Sequence, residues 1–320
     1  MNIYLKDNYK VGERNFNISD TVNHGLEIIF EEMLKHLSCQ KLSDILDIYI
    51  PQDYMEEISE FQKENGMNIE NTNEEGHRAF GRMMKCNNRY VIFYDINIIL
   101  PILLEYQIDN DKISDETEFL LSIVEHELIH AVDDYLNKNI YKTYERSESS
   151  KDYNKMFINE AYNDFKEYIA FRAGHFNNTK CTFDDIETFC NEVQVIEEEF
   201  KKIRDDYKYN NNLNFVVINI NKKILYLLLR LSHILGKINS KEENKDGLNK
   251  ILSECCGNIT YFTNKMSECV EKIYCKYPNL NEDDFVDLKN IIIEYVESFG
   301  IYFENVEEGI YISIPFDYKN

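Results

Sequence analysis

Asp115–Leu136 reads DETEFLLSIVEHELIHAVDDYL, and the fold turns on how this stretch is read. Asp115 followed three residues later by Glu118 forms a capping-box-like start, and Phe119, Leu120, Ile123, Val124, Leu128, Val132 and Leu136 recur at helical spacing. The spacing predicts one helix over Asp115–Leu136. Within it stands His126-Glu127-Leu128-Ile129-His130. Histidines four residues apart project from one helix face a turn apart, so both imidazoles can reach a single ion. Glu127 then falls where a carboxylate can take a proton from water and pass it to a leaving amine. A bound zinc-type ion lowers the pKa of its water toward about 7 and polarises a carbonyl. The expectation is metal-assisted hydrolysis, with His126 and His130 as ligands and Glu127 as general base and acid.

A catalytic ion of this kind takes three protein ligands and keeps one position open. No histidine follows at the spacing HExxHxxGxxH, since Asp133 stands three residues after His130 and Leu136 six after. The next strong helical pattern, Met156–Ala173, stops at Gly174 and carries Glu160 and Glu167. Seven residues apart, the two share nearly one face but lie about 10 Å apart along the axis, so only one can serve. Glu160 is preferred, because Asp164 one turn further on can accept the second ring N–H of a ligand histidine. Glu167 is the alternative, with the small Ala170 beside it allowing a close helix approach.

These residues resemble the gluzincin metallopeptidases. Thermolysin-like members carry HExxH and a later NExxSD, which compares with Asn159-Glu160-Ala161-Tyr162-Asn163-Asp164, where Asn163 replaces the serine. The run His130-Ala131-Val132-Asp133-Asp134-Tyr135 also resembles the catalytic domain of anthrax lethal factor and its relatives. Those relatives place an oxyanion-stabilising tyrosine seven residues before the glutamate ligand, and Tyr153 stands seven before Glu160. Their alanine three residues after the ligand is matched by Ala170 after Glu167 instead, so the two registers divide the motif. The resemblance covers about 50 of the 320 residues. It implies a zincin-like fold, one Zn²⁺ per chain, and a zinc metalloendopeptidase in which Tyr153 or Tyr162 stabilises the oxyanion.

Around this segment the chain reads as α+β and mostly helical. An N-terminal α/β lobe, residues 1–137, ends in the HExxH helix. It holds helical patterns at His24–Leu37 and after Asp53, a strand at Ile45–Ile50, and a hairpin of Arg78–Lys85 with Arg89–Tyr94 turning at Asn87-Asn88. Arg89–Tyr94 is expected to be a sheet edge open to an extended substrate. A loop is expected over Lys63–Gly76, and a short helix with Pro101 near its start over Ile96–Gln107. Residues 138–320 form a mostly helical C-terminal lobe supplying the third ligand. Its helices fall at Thr182–Arg204, Lys222–Ile238, near Leu248, Ile259–Tyr277 and Asp283–Phe299, with one closing strand through Ile310, Ile312 and Ile314.

Thirty-five basic against 58 acidic residues give a formal charge of −23, which repels phosphate backbones and anionic headgroups. Nucleic acid and membrane surfaces are therefore not expected partners; a peptide or protein substrate is. Met1–Asn17 has no signal-peptide core, and the most apolar run, Ile218–Ile238, is too polar for a membrane span, so a cytoplasmic location is expected. The eight cysteines show no CxxC pairing and read as free thiols. A competing reading is a non-catalytic metal-containing binding or regulatory protein with a vestigial site, closed by a fourth ligand such as Asp164 or Glu167. The presence of Glu127, of no use to a purely structural ion, weighs against it.

Overall fold

The computed structural model describes residues 1–6, 8–11, 14–17, 20–67, 80–106, 113–138, 140, 151–176 and 179–316. The later part of the loop expected at Lys63–Gly76, the start of the run expected at Arg78–Lys85 and most of the connection before Asn154 lie outside them. Among the described residues the fold is α+β and mostly helical with a small mixed sheet. The chain divides into two compact units, Met1–Tyr135 with Ala173–Asn178, and Leu136–Arg172 with Thr179–Asn320.

In the first unit, β1 (Asn2–Tyr4), β4 (Leu46–Tyr49), β6 (Arg89–Tyr94) and β5 (Gly81–Cys86) form one sheet in the order β1-β4-β6-β5. β1 and β6 run parallel to β4, and β5 pairs antiparallel with β6 from Gly81 opposite Tyr94 to Cys86 opposite Arg89. The turn between them uses Asn87 at φ 49° and Asn88 at φ 63°, the left-handed pair that Asn tolerates in a tight hairpin. A separate small hairpin joins β2 (Asn8–Val11) to β3 (Arg14–Asn17).

Strand alternation explains why both faces of this sheet are covered. Leu46, Ile48, Tyr90, Ile92 and Tyr94 pack with Leu26 and Phe30 of α1 (Asp20–His36), Ile98 and Ile102 of α3 (Ile96–Tyr106), and Leu121, Val124 and Leu128 of α4 (Asp115–Leu136). On the other face Val91 and Phe93 meet Tyr54 and Ile58 of α2 (Tyr54–Glu64), whose N-cap Asp53 accepts the Glu56 N–H. The expectation that Arg89–Tyr94 is the edge strand is thereby corrected. β6 is bonded on both sides, by β4 and by β5, and the antiparallel edge of the sheet is β5. Pro101 also sits deeper in its helix than expected, as the sixth residue of α3.

The second unit is built around α5 (Tyr153–Arg172), with α6 (Thr179–Asn210), α7 (Leu213–Asn219), α8 (Tyr226–Ser240), α9 (Asp246–Glu254), α10 (Asn258–Tyr274) and α11 (Val286–Glu297). The helix expected over Lys222–Ile238 begins earlier, at α7, and passes through a π-helical stretch, Ile220–Leu225, into α8. Asn212 caps its start by accepting the Phe215 N–H, a signal hidden in a run of asparagines. Glu197 of α6 is buried and caps α10: its carboxylate accepts the N–H groups of Asn258 and Ile259, at 2.8 and 3.0 Å, and the Tyr295 hydroxyl at 3.0 Å. The single closing strand expected at Ile310–Ile314 is one arm of a hairpin, β7 (Tyr302–Val306) with β8 (Gly309–Ser313).

The boundary read from sequence at 137/138 compares with one at 135/136, and residues 173–178 group with the first unit. Phe176 packs on the core of the first unit, the His175 ring lies 4.8 Å from that of His36, and one carboxylate ties the backbone between them. Glu125 of α4, 1% exposed, accepts the backbone N–H of His175 at 2.6 Å and of Phe176 at 3.2 Å. His175 lies three residues beyond the end of α5 at Arg172. No helix of the described residues is long and apolar enough to cross a membrane. The described cysteines are free thiols.

Candidate metal centre

Two tyrosines of β6 set the position of α4. Tyr94 donates its hydroxyl to the Val124 carbonyl at 2.7 Å, and Tyr90 donates to the Asp134 carboxylate, which also accepts Lys85 Nζ at 2.8 Å. Four strand residues span about 13 Å and ten helix residues about 15 Å, so the two bonds hold α4 along β6 and antiparallel to it. Burial drives the Tyr94 phenol well above its ordinary pKa, with the Glu127 charge adding to the shift, so it remains a donor.

This alignment carries Glu127 to the edge strand. The Met83 N–H of β5 donates to Glu127 Oε2 at 2.9 Å. Two residues earlier, a Cβ built on Gly81 would stand 2.5 Å from Glu127 Cγ, so only a residue without a side chain leaves the glutamate its place. Neither contact had a local signal in the sequence.

His126 and His130 stand a turn apart on α4, His126 half-buried and His130 buried, with their Nε2 atoms 3.0 Å apart. Their rings are 4.5 Å apart between centroids and nearly perpendicular, at 85°. On α5, Glu160 is half-buried, and burial raises its carboxyl pKa above the ordinary range. Asp164, one turn on, is 4% exposed; burial first, then the charges of Glu160 and Glu167, push its pKa well above the ordinary value. Glu167 bonds to His233 of α8, with His233 Nε2 2.9 Å from Glu167 Oε2.

Among the described residues, ligand atoms of His126, His130 and Glu167 all lie within 4.8 Å of one another, and this group could hold a metal ion. It contains the alternative third ligand, Glu167, and not the preferred Glu160. The helix explains why both cannot serve: seven residues place the carboxylates about 10 Å apart along α5. Tyr153 needs a matching correction. It opens α5 fourteen residues before Glu167, about 21 Å along the axis, too far to meet an ion held there. Its N–H donates to Asn305 Oδ1 at 2.9 Å, and its ring stacks at 6.2 Å on Phe303 of the β7–β8 hairpin. Tyr162 is buried edge-on against Phe285, with ring centroids 5.4 Å apart.

No family model, curated protein or solved structure matches this chain. Sequence reasoning passed over His233 as an isolated histidine, along with Glu125, Gly81 and Met83, since each matters only through a partner remote in sequence.

Proposed function

We propose that the protein is a zinc-dependent endopeptidase with a zincin-like architecture, in which His126, His130 and Glu167 hold the ion and Glu127 is the general base and acid. The observation that carries this reading is the convergence of three ligand atoms within 4.8 Å beside a glutamate anchored on an edge strand. The donor set suits zinc. Two imidazole nitrogens on a tetrahedral zinc stand roughly 3.3 Å apart, given metal–nitrogen distances of about 2.0–2.1 Å, and the pair here is at 3.0 Å. When bound, the ion supplies Lewis-acid polarisation of the scissile carbonyl and a nucleophile available at neutral pH.

The remaining chemistry belongs to side chains. Glu127 accepts the proton of the attacking water and delivers it to the leaving nitrogen, and the Met83 N–H fixes the carboxylate so that little reorientation is needed. The antiparallel edge of the sheet is β5, and an extended peptide paired with it would pass its scissile bond close to Glu127. A net charge of −23 favours basic or neutral peptides in that position. Neither Tyr153 nor Tyr162 is assigned the oxyanion.

The test is cleavage of a mixed peptide library, read by mass spectrometry, for the wild type and for Glu127→Gln after loading with zinc. Cleavage by the wild type, reduced by roughly 10²–10⁴-fold in Glu127→Gln at unchanged metal content, is the expected result. A zinc-loaded wild type that cleaves nothing would move the protein to the binding class.

A further inference from the structure

The histidine that touches Glu167 lies far from the HExxH motif, and its surroundings define what it does. His233 and Glu167 are 66 residues apart, on α8 and α5, with side chains 23% and 24% exposed. A carboxylate offers no proton, so Nε2 of His233 carries the hydrogen and donates it to Oε2 across 2.9 Å. That bond occupies one of the roughly four lone-pair sites of the carboxylate.

The contact is built into the packing of two helices. Gly236, one turn beyond His233, lies so close to α5 that a Cβ there would stand 2.4 Å from the Tyr168 carbonyl oxygen and 2.9 Å from Phe171 Cβ. Only glycine permits this approach, which brings His233 within a single hydrogen bond of Glu167. The imidazole is also wedged in place: its ring packs on Phe171 at 5.3 Å. Phe171 carries Lys237 Nζ 4.6 Å above its face, and Lys237 is paired with Asp185 of α6. The π-helical stretch Ile220–Leu225 immediately precedes α8 and resets the angular phase of everything after it, His233 included.

We propose that His233 is a positioning residue for the third ligand, holding the Glu167 carboxylate in the orientation in which it groups with His126 and His130. The proposal rests on the metal reading of that group. A glutamate on a helix has three side-chain torsions, and an ion must gather it from all their combinations unless something has already chosen one. His233 makes that choice before the ion arrives, so its effect falls on metal affinity. Partners of this kind behind a ligand are worth about 10- to 100-fold in affinity.

The experiment measures zinc affinity by competition with a chromophoric chelator for the wild type, His233→Ala, His233→Asn and His233→Gln, with thermal unfolding of each metal-free protein alongside. Gln places an amide N–H near the position of imidazole Nε2, whereas Asn is one methylene too short. The expected result is affinity weakened about 10- to 100-fold in the Ala and Asn variants and largely restored in Gln, with metal-free Asn and Gln variants unfolding alike. Wild-type affinity in Ala and Asn, or a Gln variant as weak as Asn, overturns the assignment while leaving the metal centre intact. A wild type that binds no zinc removes the metal reading itself, and this inference with it. If the Ala variant fails to fold, the comparison of Asn with Gln decides alone.

Discussion

Glu167 and Glu160 make opposite predictions at the scale of the single residue. Losing one of three donors abolishes a stable site, so Glu167→Ala should fall from about one zinc per chain to nearly none by elemental analysis, while Glu160→Ala keeps its metal. The reverse pattern would restore the third-ligand choice made from sequence. Asp164 between them is a test by pH. Its folded-state pKa is raised by burial and by its two neighbours, so the folded protein holds that proton more tightly than the unfolded chain. The resulting stabilisation is complete below the unfolded value near 3.8 and is lost as pH rises from there through the folded pKa. Asp164→Asn, always neutral, should therefore be more stable than the wild type toward urea at about pH 7, the gap closing as pH falls to about 4. An unchanged gap at both pH values would show that Asp164 does not titrate as its burial demands.

At the scale of elements, the helix that carries His126 and His130 is held by polar groups that point into its surroundings. Tyr90 and Tyr94 bind α4 along β6, and Glu125 draws the segment after α5 back onto α4 through two backbone N–H groups. Hydrogen bonds to a charged group contribute about 1.5–3 kcal/mol, and Glu125→Ala would leave two N–H groups without this acceptor, so a loss of about 2–4 kcal/mol is expected. Hydrogen exchange should localise it, with the amides of His175 and Phe176 exchanging much faster while those of β6 stay protected. Equal protection of those two amides in both proteins would dismiss the tether. The elements themselves were largely visible in the chain. Asp115–Leu136 is the helix its apolar stripe predicts, and Asn87-Asn88 turns the hairpin its residue types allow. The misjudged ones are the early start of α7, whose cap Asn212 is hidden in a run of asparagines, and the strand β7, four of whose five residues are exposed and so carry no apolar alternation.

For the whole molecule, metal binding acts on stability by mass action. An ion that binds the folded chain alone adds about 2.7 kcal/mol at a free concentration one hundred times its dissociation constant. Chelation should accordingly lower the unfolding temperature of wild type by several degrees and abolish peptide cleavage, and zinc should restore both. His126→Ala should unfold at one temperature with or without zinc. A wild type equally indifferent to zinc would mean that the three side chains hold no ion in solution.

What the sequence determined by itself is what depends on near neighbours along the chain. A four-residue spacing puts His126 and His130 on one helix face whatever surrounds that helix, and a seven-residue spacing forbids Glu160 and Glu167 from sharing one ion. The choice between those two glutamates has no local signal, since both lie on the same face of α5. Tertiary structure groups Glu167 with the histidines and pairs it with His233. It likewise put β6 inside the sheet, because strand order depends on which backbone edges pair, and both runs of the hairpin carry unpaired edges until β4 takes one of them.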